Sequence, residues 1–156
     1  MSLHFYWSDF DSLSNSELYA ALKLRQDVFV LEQTCFYPDL DDVDQACVHL
    51  LGKQAGQVVA YLRLIPKTVH ESGCLTLGRI VTSPDVRGQG VGKALMQETM
   101  AYLERNYPRE PIQMSAQAYL VDFYQSFGFE TVGDVYDEDG IDHILMRFVP
   151  EKTDGA

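Results

Sequence analysis

Three alternating glycines constrain this chain more than any other feature of its 156 residues. They lie in the segment Arg87-Gly88-Gln89-Gly90-Val91-Gly92-Lys93. An apolar strand is predicted before them at Leu75–Thr82, and a helical pattern follows at residues 91–107. Glycines let the backbone approach a phosphate without a Cβ in the way, and the first turn of a helix presents free N–H groups. The segment therefore predicts an anion site, and a pyrophosphate is its natural occupant.

Two common nucleotide-binding loops do not fit this spacing. A Walker A loop ends in Gly-Lys followed by Ser or Thr, whereas Ala94 follows Gly92-Lys93 here. A dinucleotide-binding fingerprint requires G-x-G-x-x-G, whereas this segment has G-x-G-x-G. Neither ATP of the Walker type nor a dinucleotide is therefore the predicted ligand.

The rest of the pattern predicts a mixed sheet with helices on both faces. Ser14 and Glu17 form a capping box before a helix of about four turns that ends near Val30. A strand–helix–strand unit at 75–116 requires a parallel crossover, whereas the first strands lie close enough in sequence to pair antiparallel. Further strands are predicted at 3–7, 48–51, 58–65, 112–116, 131–136 and 141–149, and a short helix at 120–127.

Composition narrows the class of partner. The formal net charge of −11 argues against binding to nucleic acid or to acidic membranes, because both need a positive protein surface. The same charge would attract cationic small molecules, or it serves only to keep the protein soluble. No repeat or linker interrupts the chain, so one domain is expected at 1–150, followed by a flexible tail at 151–156.

Neither a metal site nor a secretory context is expected. The odd number of cysteines, without a CxxC pair, suits a reducing cytoplasm, and the N-terminus lacks the pattern of a signal peptide. The aspartates of segment 39–44 resemble a calcium loop only superficially, because Val43 occupies a ligand position and no glycine follows it. The histidines show no spacing typical of metal ligands; they are His4, His49, His70 and His143.

Two segments in the right order resemble the GNAT superfamily of N-acetyltransferases. The pattern R-x-x-G-x-G at 87–92 resembles the pyrophosphate loop of that family, and segment 122–129 resembles its closing motif, a tyrosine five residues before a Gly-Phe ending. Segment 24–35, the aspartates at 41, 42 and 44, His49 and segment 140–143 resemble the ElaA-type branch, so the resemblance covers about residues 5–149. It implies the acyl-CoA N-acyltransferase fold, an α/β fold with a strongly twisted, mainly antiparallel sheet of six or seven strands.

The resemblance also implies a reaction, the transfer of an acetyl group from acetyl-CoA to a primary amine of a small molecule or peptide. Backbone groups of Ile80, Val81 and Thr82 would lie along the pantetheine arm, and the amides from 87 to 93 would hold the pyrophosphate. Tyr124 would supply the proton or the hydrogen bond that the departing thiolate needs, because a phenol with a pKa near 10 stays protonated and can donate. The family often has an asparagine seven residues before this tyrosine; Gln117 takes that position here, and its longer amide could still contact pantetheine.

The sequence leaves the general base open. Glu32 ends the first predicted helix where an acceptor could enter, and His143 lies in the last strand. Histidine is the residue type whose ordinary pKa suits a general base near neutral pH. A water relay is the third alternative. Arg25 either clamps a carboxylate or pairs with Asp27 or Glu32, and the structural role is slightly favoured.

The acceptor and the assembly are open as well. Two acidic clusters either recruit a cationic amine or form solvated loop tips. Alternatives to an N-acetyltransferase are a non-catalytic acyl-CoA sensor and an acyltransferase that uses a different acyl-CoA, and a homodimer is compatible with the sequence. The clusters comprise Asp39, Asp41, Asp42 and Asp44, and Asp134, Asp137, Glu138, Asp139 and Asp142.

Overall fold

Seven strands form one sheet in the part of the chain that the computed structural model describes, residues 2–150. They are β1 (Leu3–Asp9), β2 (Val48–Gln54), β3 (Gln57–Ile65), β4 (Leu75–Thr82), β5 (Ile112–Gln117), β6 (Glu130–Glu138) and β7 (Ile141–Phe148). Their spatial order is β1-β2-β3-β4-β5-β7-β6, and only β4 and β5 pair in parallel. The predicted mixed and mainly antiparallel sheet is confirmed.

Helices pack on both faces of this sheet. The α-helices are α1 (Asn15–Arg25), α2 (Val91–Asn106) and α3 (Val121–Gln125). Adjacent residues of a strand point to opposite faces. Leu50 belongs to a core cluster with Leu95 of α2, whereas its neighbour Leu51 belongs to a second cluster with Leu24 of α1. Each face of the sheet therefore has its own apolar core.

The first helix departs from the prediction in its second half. The Ser14 side chain accepts a hydrogen bond from the Glu17 N–H, and the Glu17 carboxylate accepts one from the Ser14 N–H, so the predicted capping box is confirmed. After Arg25 the backbone continues as a π-helix, Gln26–Glu32, instead of ending near Val30 as an α-helix. Apolar periodicity locates a helical stretch but carries no signal for the wider π turn.

The parallel pair β4 and β5 separates soon after it begins. Only Leu75 with Ile112 and Thr76 with Gln113 are paired, so the cleft-facing edge of β4 has no strand partner beyond Thr76 in residues 2–150. On its other edge, β4 carries a bulge opposite β3, where Arg79 has a left-handed φ of 53°. The separated carboxyl ends of the two strands open a cleft in the sheet.

The first strand of the C-terminal hairpin is longer than predicted. Strand β6 extends at both ends beyond 131–136, and every residue from Glu130 to Glu138 is exposed because β6 forms an edge of the sheet. Strand β7 lies between β6 and β5. The predicted tail at 151–156 lies outside the described residues. No helix within 2–150 is long and apolar enough to cross a membrane.

Candidate active site

The space between the separating strands is a cleft of about 600 Å³. Its lining comes from the π-helical segment and the loop after it, β4, Arg87, β5 with the turn and helix α3 that follow, and the hairpin of β6 and β7. Most of the residues predicted for catalysis or cofactor binding line it: Glu32, Ile80, Val81, Thr82, Arg87, Gln117, Tyr124 and His143. Segment 88–93 does not line the cleft but follows directly after Arg87 and begins α2.

The glycine loop contains two residues with left-handed backbone conformation. Gly88 and Gly90 have φ values of 80° and 77°, a region that L-residues with side chains rarely adopt, and Gly90 is the N-cap of α2. A Cβ added to either glycine would meet no protein atom within 4 Å. Lys93 lies exposed in the first turn of the helix. An open loop, free helical N–H groups and nearby positive charge give the physical features of a pyrophosphate site.

Tyr124 is the buried phenol of the cleft. It lies in α3, is 5% exposed, and packs edge to face against Phe123 with ring centroids 5.2 Å apart. Burial raises the pKa of its hydroxyl above the usual value for tyrosine, so the group stays protonated at neutral pH. Within residues 2–150 this hydroxyl has no hydrogen-bond partner. Its donor is therefore available to a ligand in the cleft.

His143 enters the cleft from β7 with a carboxylate beside it. Its Nδ1 lies 2.8 Å from the carbonyl oxygen of Ile141, and a carbonyl can only accept, so Nδ1 carries the proton. The lone pair of the neutral ring is then on Nε2, which lies 3.3 Å from a carboxylate oxygen of Glu138. The ring of Tyr136 stacks on the imidazole with centroids 6.3 Å apart. The pair Glu138–His143 was not predicted, because Glu138 looks like one more acid in an exposed turn.

Glu32 is engaged in a bidentate ion pair. Its two carboxylate oxygens accept hydrogen bonds of 2.8 and 2.7 Å from the terminal nitrogens of Arg87. These bonds lower the pKa of Glu32, which makes its carboxylate a weaker base. Arg25 pairs with neither Glu32 nor Asp27, so those two predicted partners are wrong, and Asp27 pairs instead with Lys23.

The first acidic cluster is a buried ion-pair network, which corrects both expectations for it, the recruitment of a cationic amine and the solvated loop tip. Three arginines neutralise three of its aspartates: Arg25 binds Asp39 and Asp44, Arg63 binds Asp41 and Asp44, and Arg79 binds Asp39 and Asp41. Only Asp42 is exposed. Aspartates with such partners carry no free charge with which to recruit an amine, so this cluster has a structural role.

One further predicted residue, Gln117, and two residues that were not predicted, Arg79 and Tyr37, also line the cleft. The Gln117 side-chain amide donates to the Gln33 side chain at 3.2 Å, so it links β5 to the end of the π-helical segment. The Arg79 guanidinium lies 5.5 Å from the ring centroid of Tyr37. An arginine inside an apolar strand was a signal for Arg79, since a buried charge needs partners. No comparable signal marked Tyr37.

Comparison with known proteins places the chain in a family. A family model for the acetyltransferase (GNAT) domain matches residues 26–150. Protein ElaA of Escherichia coli (strain K12) is 43% identical over 144 residues, which cover 90% of this chain and 94% of that protein. The crystal structure of an acyl-CoA N-acyltransferase from Pseudomonas aeruginosa is 41% identical with a TM-score of 0.89, and covers 95% of this chain and 100% of that one.

The chain therefore belongs to the GNAT acetyltransferase family. The crystal structure of Escherichia coli ElaA has a TM-score of 0.87 at 38% identity and covers 94% of this chain and 99% of that one. The predicted resemblance to the ElaA-type branch and the predicted acyl-CoA N-acyltransferase fold are both confirmed. Family membership makes the chain an acyl-CoA-dependent acyltransferase.

Proposed function

We propose that the protein is an N-acetyltransferase that moves the acetyl group of acetyl-CoA to a primary amine of a small molecule or peptide. One observation carries the proposal: within residues 2–150, a strand edge without a strand partner and a phenol without a hydrogen-bond partner face one cleft, and the glycine loop begins at its rim. A cytoplasmic location is part of the proposal, since Cys35, Cys47 and Cys74 are all free thiols.

The cofactor contacts in this proposal use mostly backbone. Pantetheine contains amide groups, and the free edge of β4 from Ile80 to Thr82 offers N–H and C=O groups that a strand partner would otherwise bind. The amides of 88–93 and the first turn of α2 would hold the pyrophosphate. The Gln117 amide lines the same cleft and would contact pantetheine after releasing Gln33.

The acceptor must lose a proton to act as a nucleophile, because an alkylamine has a pKa of about 10.4. We assign the base to His143, whose Nε2 holds the lone pair of the neutral ring. Glu138 lies 3.3 Å from this same nitrogen, and its negative charge would stabilise the imidazolium after proton transfer. Glu32 is a less suitable base, because Arg87 stabilises its ionised form. A backbone N–H of the free β4 edge would stabilise the developing oxyanion.

The departing thiolate needs a proton or a hydrogen bond, since a thiol has a pKa of about 8.5. Tyr124 meets this need in the proposal, because its hydroxyl is protonated and has no partner in residues 2–150. Burial makes the phenol a reluctant acid in the absence of substrate. A hydrogen bond donated to the thiolate avoids that penalty, because the negative charge stays on sulfur and no phenolate forms.

The acceptor in this proposal carries a second cationic group. Glu138 and Asp139 line the cleft, and the protein as a whole has a net charge of −11. Exposed carboxylates attract ammonium groups without costly desolvation. The first acidic cluster makes no such contribution, because Arg25, Arg63 and Arg79 neutralise it.

A panel of amines incubated with acetyl-CoA, with released thiol as the readout, tests the proposal. The expected result is turnover with at least one primary amine and preference for amines with a second positive charge. A parallel panel with longer acyl-CoA donors measures the acyl preference. Thiol release that never exceeds hydrolysis, in a protein that acetyl-CoA nonetheless stabilises against heat, would instead identify a binding module.

A further inference from the structure

An ion pair joins two segments that line the cleft and have different roles in the proposed reaction. Arg87 starts the glycine loop, and Glu32 ends the π-helical segment. Both terminal guanidinium nitrogens of Arg87 donate to the two oxygens of Glu32, at 2.8 and 2.7 Å. The two side chains remain 44% and 39% exposed, so mutual attraction and not packing holds them together.

A pyrophosphate at the glycine loop would compete for the same guanidinium. It carries two negative charges next to Arg87, whereas Glu32 carries one. Guanidinium groups bind phosphate oxygens with the same forked geometry that they use for carboxylates. Glu32 occupies the end-on edge of the guanidinium, which is formed by both terminal nitrogens, so a pyrophosphate that binds Arg87 through this edge must displace Glu32.

We propose that Glu32 and the pyrophosphate of CoA compete for Arg87, so that CoA binding frees the Glu32 carboxylate to bind a cationic group of the acceptor. This inference rests on the proposed binding of CoA at the glycine loop. The free carboxylate lines the cleft with Glu138 and Asp139, which adds a third negative charge to the acceptor side. In this inference the acceptor site is complete only after the cofactor has bound.

The competition predicts that removing the Glu32 charge increases the affinity for CoA, measured by calorimetry with free CoA. Glu32→Gln should bind CoA about 2- to 5-fold more tightly than wild type, the range expected for releasing one exposed ion pair. Arg87→Gln should bind CoA more weakly. In the Arg87→Gln background, Glu32→Gln should have no further effect, because the competed group is gone. The gain should shrink as salt screens the ion pair.

Asp85→Asn is the matched control for the electrostatic effect of removing one negative charge near the glycine loop. Asp85 is exposed, lies two residues before Arg87, and its carboxylate has no ion pair among residues 2–150. Its effect on CoA affinity should be the same with and without Arg87. The inference is wrong if Glu32→Gln fails to tighten CoA binding, or if it tightens binding equally in the Arg87→Gln background.

The acceptor half of the inference is tested with 1,4-diaminobutane as the probe. Saturation with CoA should tighten binding of this diamine to wild type several-fold, and Glu32→Gln should abolish that coupling. Diamine binding that is independent of CoA, or absent, would overturn the role of Glu32 at the acceptor. If the protein acetylates amines but CoA does not affect diamine binding, this inference alone is refuted. If CoA tightens diamine binding but no amine is acetylated, the proposed function is refuted and the competition between Glu32 and pyrophosphate for Arg87 remains.

Discussion

Asp44→Asn tests whether the buried ion-pair network stabilises the fold. One carboxylate oxygen of Asp44 accepts hydrogen bonds from Arg25 at 2.7 Å and from Arg63 at 2.9 Å. The three side chains are 8%, 1% and 4% exposed. Asparagine keeps the shape but removes the charge, so the balance of three arginines and three aspartates becomes an excess buried positive charge. Such a loss costs about 3–5 kcal/mol in the free energy of unfolding.

The loss of stability in Asp44→Asn should depend on pH. Burial alone would raise the pKa of Asp44, but hydrogen bonds and charges from Arg25 and Arg63 outweigh burial and lower it. A carboxyl with a lowered pKa contributes stability above its unfolded pKa of about 3.9 and loses that contribution as the pH falls. The difference between wild type and Asp44→Asn should therefore be full at neutral pH and shrink below about pH 4.

Urea denaturation followed by the fluorescence of Trp7, the one tryptophan of the chain, measures the difference. Asp42→Asn is the matched control, since Asp42 is exposed, has a φ of 62° that asparagine tolerates, and lies in the same loop. The control should change stability by less than about 0.5 kcal/mol. Equal effects of the two variants, or a loss below about 1 kcal/mol for Asp44→Asn, would refute the claim that the network stabilises the fold.

Three further predictions concern the site and its support. Tyr124→Phe should lower kcat by about 10- to 1000-fold while acetyl-CoA still raises the melting temperature; unchanged turnover would leave Tyr124 a core residue. Gly90→Val should abolish the thermal shift given by acetyl-CoA, whereas Gly56→Val, at a nearly equal φ of 76° in an open turn, should lose stability and keep the shift. Asp41→Asn should lower the free energy of unfolding by about 1–2 kcal/mol at pH 6, because Arg63 lowers the Asp41 pKa to about 2 and solvent screens part of that ion pair. The loss should become smaller as the pH falls from 4 toward 2. A loss that stays constant with pH in urea denaturation would contradict this.

Local signals explain what could be predicted from the sequence. The capping box of Ser14 and Glu17 and the left-handed φ at Gly90 depend on a few adjacent residues, so the sequence contains the whole cause. The parallel step from β4 to β5 follows from chain connectivity, because a helix lies between the two strands. These local features fixed the predicted position of the glycine loop at the end of a strand.

The ion-pair network could not be predicted, because its partners are distant in sequence. Asp39 and Asp44 pair with Arg25, which lies 14 and 19 residues away, and Asp44 pairs with Arg63, again 19 residues away. A run of aspartates after Pro38 has the composition of a solvated loop. The arginines of the network, and not its aspartates, carried a signal in the sequence. Arginines at 25 and 63 lie among apolar residues, and a buried guanidinium requires carboxylates.

The same network ties the stability of the core to the geometry of the cleft. Arg79 has a left-handed φ of 53°, which costs energy for a residue with a side chain, and its side chain is held by Asp39 and Asp41. Those aspartates are shared with Arg25 of α1 and Arg63 of β3. The bulge at Arg79 sits directly before the backbone groups proposed to bind pantetheine. Because each aspartate binds two arginines, a displaced acidic loop would move the helix, the strand and the cleft wall together, so the position of the proposed cofactor edge depends on buried charges in the core.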